Sequence, residues 1–253
     1  METIREKTGR RRTALRQPRQ RKTPISRQSL HHQVAERLRD MIVHGDLREG
    51  EKIHVATLAE DLGVSLTPLR EALKVLAEEQ LVELTLNRGA RVLPFTPEEV
   101  ENLFEVIAVL EGVAAEYAAH RMTAEQLAEL EEMHAQMRVH YDQHERAPYF
   151  DLNSQIHRTI VEFADNEVLA RTHTKLIVRA NRGRYIAIID AERWREAMAE
   201  HEAVMEAFRN RDPVAAMSIW RMHLKRTGEV TCEVLRRRIA GELDANFLPV
   251  TRN

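Results

Sequence analysis

Cysteine is almost absent from this chain. The single residue Cys232 can form neither an internal disulfide framework nor a cysteine-cluster metal site. With nine Gly, eight Pro and 5% aromatic residues in 253, the composition reads as globular and helix-rich and argues against a sandwich, a barrel or a disordered chain. No run of about 18 apolar residues occurs, so no membrane span is expected. The first residues carry Arg but no apolar stretch, so no secretory signal is expected either, and a cytoplasmic protein is the natural reading. What is present is a 43% hydrophobic and 31% charged chain, helix-rich in character and long enough for two domains with sizeable cores.

Charge is distributed unevenly. Residues 1–95 hold 18 Lys/Arg against 13 Asp/Glu, while residues 96–253 hold 20 against 27. The densest basic stretch is residues 1–28, where Arg10, Arg11, Arg12, Arg16, Arg19, Arg21, Lys22 and Arg27 stand among Pro, Thr and Gln. Such a segment is read as a disordered basic arm, either solvated or laid on nucleic acid.

From Ser29 the pattern is helical, with Leu30, Val34, Leu38, Met41 and Ile42 on one face until Gly45. "GDLREGEKI" reads as a turn-rich connector. "VATLAEDLG" is a short helix broken by Gly63, and a second helix after Ser65 carries Leu69, Leu73, Leu76 and Ala77 inward, which makes a helix-turn-helix. "LVELTL", "NRG" and "ARVLPF" then read as a β-hairpin wing. Everything after Pro94 is helical. "TPEE" at Thr96–Glu99 and "TAEQ" at Thr123–Gln126 are capping boxes. Further helix starts are expected near Pro148, after Asp165-Asn166, near Ala191 and at Asp212-Pro213, giving about six helices. The expected fold is mainly α: a winged helix-turn-helix at 29–94, an all-helical bundle at 95–243 and a tail at 244–253.

On the helix after Ser65, Thr67, Arg70, Glu71 and Lys74 face outward, with Leu66 and Pro68 at its tip. Arg70 and Lys74, four apart, are suited to phosphate or guanine contact, and the alternative is ion pairing with Glu71 or Glu60 on a solvated face. The stretch "LRDMIVHGDLREGEKI…LAEDLGVSLTPLREALKVLAEEQLVEL…NRGARV" resembles the DNA-binding domain of the GntR family of bacterial transcription regulators across residues 30–94. The resemblance implies that Thr67 and Arg70 contact DNA and that the wing around Arg88 and Gly89 approaches the minor groove. Relatives usually carry Arg where this chain has Leu66. Leucine cannot donate to guanine but can touch a thymine methyl, so the departure bears on operator sequence and not on fold.

Three histidines fall on apolar stripes of different expected helices: His157 with Phe150, Asn153 and Ile160, His201 with Trp194, Met198 and Met205, and His223 with Ala216 and Trp220. They are either hydrogen-bonded core residues or converging metal ligands. Asn153 and His157 share a helix face at i, i+4. His140 and His144 have the same spacing but sit among charged residues at a helix end and are the weaker pair. "ENLFEVIAVLEGVAAEYAA", "NSQIHRTIVEFADNEVL" and "HEAVMEAFRNRDPVAAMSIWRMHL" resemble the FCD ligand-sensing domain of FadR-type GntR regulators, over about residues 96–240. That resemblance implies a divalent metal, zinc or nickel, held by Asn153, His157, His201 and His223, with Asn a weaker, neutral donor where many relatives have Asp. Relatives often carry at Ile107 an Arg that holds an effector carboxylate, so Arg179, Arg182 and Arg184 are the candidates for effector binding here.

The reading that follows is a homodimeric regulator binding palindromic double-stranded operator DNA under control of a small-molecule effector, with no catalysis. Two rivals are a helical scaffold and a metal-dependent hydrolase using the three histidines with Glu202 as base. In "HEAVM" Met205 stands where a zincin needs its second histidine.

Overall fold

The structure is a computed structural model that describes residues 30–85 and 89–243. The basic arm at 1–28, Arg88 at the wing tip and the tail at 244–253 lie outside the described residues. The order is α1 (Leu30–Val43), β1 (Lys52–Ile53), α2 (Val55–Asp61), α3 (Leu66–Glu78), β2 (Val82–Thr85), β3 (Gly89–Val92), α4 (Pro97–Arg121), α5 (Ala124–Asp142), α6 (Arg146–Phe163), α7 (Glu167–Ala187), α8 (Ala191–Arg209) and α9 (Pro213–Ile239).

The first elements form a winged helix-turn-helix. α1 buries Val34, Ala35, Leu38, Ile42 and Val43 and packs on α3, which buries Leu69, Ala72, Leu73 and Leu76. Between α2 and α3 the chain turns at Gly63, whose φ of +64° is a conformation L side chains rarely adopt. The wing differs from the expected hairpin. The connector read as a turn supplies β1, which pairs with β3 through Lys52 opposite Arg91 and Ile53 opposite Ala90, so the sheet order is β1-β3-β2. A two-residue strand is too short to show alternation and exists because β3 offers it an edge.

Six helices follow the wing among the described residues, and most open on a capping side chain. Thr123 and Gln126 form the full reciprocal box, while Asn166, Asp190 and Asp212 accept from the amides of Leu169, Arg193 and Ala215. Thr96 accepts from the Glu99 amide at 3.2 Å, but the Glu99 carboxylate does not return to Thr96. It binds Arg179 at 3.1 Å, so a tertiary ion pair has displaced half of the expected box. α6 starts at Arg146, two residues before Pro148, which its first turn accommodates.

The bundle is organised on α4, the helix with the most extensive packing, which runs antiparallel to α9 and also touches α6 and α7. Buried Phe104 of α4 lies between Gly183 of α7 and Gly228 of α9: a Cβ at Gly183 would stand 2.6 Å from its ring, and one at Gly228 would stand 2.6 Å from its Cβ. Two apolar clusters result, one holding residues from Val34 to Val92 and one holding residues from Phe95 to Leu235 together with Val43 of α1.

At their junction the His44 ring meets the edges of Phe150 and Tyr185 at 5.9 and 4.7 Å. Arg182 donates there to the Leu93 carbonyl (3.1 Å) and Glu49 (2.6 Å), and Arg238 pairs with the same Glu49. Since Phe104 is buried and in close contact at both glycines, Gly183→Ala and Gly228→Ala should each destabilise the fold by about 1–3 kcal/mol in urea unfolding. Unchanged midpoints would show that the three helices are not in this close contact.

Candidate functional site

Two regions carry the residues singled out by sequence. At the start of α3, Leu66 is 41% exposed, Thr67, Arg70 and Lys74 are exposed, and Pro68 is half-buried. The inner face of the helix is spent on the core, so these side chains form its free face. Lys74 donates to Glu71 at 2.8 Å, whereas Arg70 forms no ion pair among the described residues. Gly89 opens β3 with φ +92°, and a Cβ there would crowd the Ile53 carbonyl at 3.3 Å.

The second region lies inside the bundle. α6, α8 and α9 bring His157, His201 and His223 together so that one ring nitrogen of each lies within 4.8 Å of the others. The ring centroids are 5.0–5.5 Å apart, and Trp220 packs against all three rings. Asn153 is buried one helical turn before His157. The weaker pair is elsewhere: His140 bonds Glu145 at 2.6 Å, and His144 packs on Trp194.

Burial, first of all, lowers the basicity of the three imidazoles. It depresses His157 to about 3 with help from Arg184, takes His201 well below its ordinary range, and lowers His223 against the opposing hydrogen bond to Glu200. The lowering favours the neutral form of each ring, and neutral rings have lone pairs to give. His157 Nδ1 is bonded to Glu111 and His223 Nδ1 to Glu200 (2.7 Å), so carboxylates orient two rings as they do around metal-bound histidines. His157 Nε2 and both nitrogens of His201 are buried without a hydrogen-bond partner among the described residues. Buried polar atoms are rarely left unpaired, and the donor set fits a divalent transition metal.

Glu111 is the residue that sequence reasoning missed. It lies fully buried on α4 and receives His157, His173 (2.9 Å) and Arg184 (3.3 Å). Burial alone would push its carboxyl up, but the His157 ring, Arg184 and the two histidine hydrogen bonds outweigh it and hold the group well below the usual carboxylate range. The available signal was a carboxylate at helical spacing between Ile107 and Ala115 on the apolar face of α4. On the far side Arg193, also buried, ties Glu200 (2.6 Å) to Thr227 (3.1 Å) and the His223 carbonyl (3.1 Å).

Of the three arginines named for effector binding, Arg184 alone lies at this site. Its Nε and Nη1 are buried and have no hydrogen-bond partner among the described residues. Arg179 reaches Gln80 (2.5 Å) and Glu99 (3.1 Å), and Arg182 reaches Glu49 and Leu93, so both hold the winged unit against α7. Glu202, the base of the hydrolase alternative, is exposed on α8 and paired with Arg138, and the buried residue four after His201 is Met205. No helix among the described residues is long and apolar enough to cross a membrane.

Comparison with known proteins gives two family matches, "Bacterial regulatory proteins, gntR family" over residues 30–92 and "FCD domain" over residues 102–226. The chain is 25% identical over 202 residues to the HTH-type transcriptional repressor RspR of Escherichia coli K12, covering 80% of this chain and 89% of that one. It is 27% identical over 195 residues to the transcriptional repressor GlaR of the same organism, covering 74% and 89%. The solved structure of E. coli McbR/YncC has a similar fold, with TM-score 0.70 and 22% identity over 83% of this chain and 99% of that one.

The neutral histidines set a pH dependence. In the unfolded chain each titrates near 6.5, whereas in the fold His157 titrates at about 3 and the other two are also lowered. Between those values the unfolded state binds more protons, so stability is full above about 6.5 and is lost on acidification, by up to about 1.4 kcal/mol per pH unit for each histidine. With chelator present, the urea midpoint should fall from pH 7.5 to 5. A flat profile would mean that the imidazoles protonate in place.

Proposed function

Because the chain belongs to the GntR family of bacterial regulatory proteins and carries an FCD domain, it is a DNA-binding transcriptional regulator, and we propose that a small carboxylate effector sets its operator affinity from a site containing Arg184 and the three histidines. The observation that carries this reading is a fully buried guanidinium with two unpartnered nitrogens beside three neutral, converging imidazoles. His157, His201 and His223, with Asn153 as a neutral oxygen donor, would hold a divalent cation such as zinc or nickel, which when bound supplies an electrophilic centre for an effector oxygen. Arg184 offers the planar fork that suits a carboxylate.

α7 supports the link to DNA binding, because the helix that carries Arg184 also carries Arg179 and Arg182 at the winged unit. An effector that prefers one placement of that unit shifts operator affinity by its differential binding. The reading includes a division into a DNA-binding domain at 29–94 and an effector domain at 95–243, a cytoplasmic location, and a homodimer on a palindromic operator. The exposed Val106, Val109 and Met222 on the antiparallel α4–α9 pair favour this pair as the dimer face. Repression is the proposed sign, since several relatives carry that name.

His201→Ala, which removes a ring with no hydrogen bonds, should abolish zinc or nickel binding by elemental analysis, whereas Asn153→Asp should tighten it by adding an anionic ligand. In the metal-loaded protein, Arg184→Lys should weaken the small carboxylic acids that bind by about tenfold, or about 1.4 kcal/mol. Retained affinity in that variant would remove Arg184 from the site.

Leu66→Arg should leave stability within about 0.5 kcal/mol, as an exposed substitution does, and should introduce a selected guanine in each half-site of a randomised duplex library. Identical selected sequences would show that residue 66 does not face the bases.

A further inference from the structure

Neither the free face of α3 nor the histidine site accounts for a cleft of about 720 Å³ between α1 of the winged unit and the α6–α7 pair of the bundle. That volume suits a small ligand. Apolar Val43, Phe150, Ile177 and Val178 contribute to its lining, and the polar residues among them are of a particular kind.

Three polar atoms in the lining residues are shielded from solvent yet have no hydrogen-bond partner among the described residues: Ser154 Oγ, Asn181 Oδ1 and His44 Nε2. Ser154 is only 7% exposed. Each of the three can accept a hydrogen bond, and leaving such atoms unpaired costs free energy. The charges are mostly of one sign. Glu36 and Asp40 line the cleft from α1, and Asp151 and Glu162 line it from α6; none of the four forms an ion pair among the described residues. Arg39 is committed to Glu79 by two 2.7 Å hydrogen bonds, which leaves Arg158 as the uncommitted cation of the lining. Burial pushes both Asp40 and Asp151 up, and the nearby His44, with Arg37 beside Asp40 and Arg158 beside Asp151, offsets it only in part.

A bare metal ion does not suit this arrangement, because the groups that converge closely enough to hold one among the described residues are the three histidines. An anion would meet the excess of carboxylates. What remains is an organic cation with N–H donors and a short apolar body. We propose that the cleft between α1, α6 and α7 is a second ligand site that takes a small aliphatic diamine, its ammonium groups on Asp40 and Asp151 and its remaining donors on Ser154 and Asn181.

Such a ligand would tie the winged unit to the bundle, since Asp40 belongs to one and Asp151 to the other. It binds the docked arrangement alone and therefore stabilises it by mass action. His173 also lines the cleft and donates to Glu111 at 2.9 Å, so the wall of this site is one hydrogen bond from the carboxylate that orients His157. The two sites are thus placed to be reciprocally coupled.

The test is calorimetric titration of the full-length protein with 1,4-diaminobutane, beside n-butylamine and succinate. Saturable binding of one diamine per chain, weakened at least tenfold in both Asp40→Asn and Asp151→Asn and by a smaller factor in Ser154→Ala, supports the site. Thermal melts of the three variants without ligand establish that they fold. His201→Ala, which removes a proposed metal ligand, should still bind the diamine, and this separates failure here from failure of the effector reading. Absence of saturable binding to the wild type overturns the proposal, as does undiminished affinity in both aspartate variants or binding of succinate in preference to the diamine.

Discussion

The carboxylate of Glu111 is the constraint on which the interior of the bundle depends. It stands on α4 with no solvent around it and takes hydrogen bonds from α6 through His157 and from α7 through His173 and Arg184. A buried charge left without partners costs several kcal/mol, so the placement of three helices is fixed by the need to satisfy one anion. The same anion claims the Nδ1 of His157 and leaves its other nitrogen facing His201 and His223. Structural charge pairing and ligand-site geometry are one network here.

That network also explains why α7 matters at both ends of the molecule. Between its contacts with Glu111 it presents Arg179 and Arg182 to Gln80, Glu49 and the Leu93 carbonyl. The winged unit is held mainly by charged and polar contacts with a small apolar patch from Val43, Val178 and the His44 ring. The junction is thus more polar than the interdigitated bundle, as contacts between domains of one chain commonly are.

Much of this was legible in the sequence because the signals were local. Thr96, Thr123, Asp190 and Asp212 announce helix starts through one side chain and an amide three residues on, and the buried stripes of α1 and α3 follow from apolar spacing alone. The three histidines could be singled out because each interrupts an apolar stripe. Glu111 interrupts one too, but its meaning depends on groups 46, 62 and 73 residues away that no spacing rule connects. The strand β1 and the diversion of Glu99 to Arg179 were hidden for the same reason: a two-residue strand and a lost cap are decided by the partner across the fold. Likewise Arg179, Arg182 and Arg184 share one helix and one chemistry, and only the tertiary contacts send two of them to the junction and one to the interior.

The Phe104 ring, wedged between Gly183 and Gly228, has a mechanical consequence. With a side chain of α4 seated where α7 and α9 lack a Cβ, the three helices are keyed like a bolt through two plates, and a one-turn slide would drive Phe104 out of its place. Sliding of these three helices is therefore disfavoured relative to a rotation of the winged unit about the short connection at Leu93–Thr96, with the keyed helices serving as its frame.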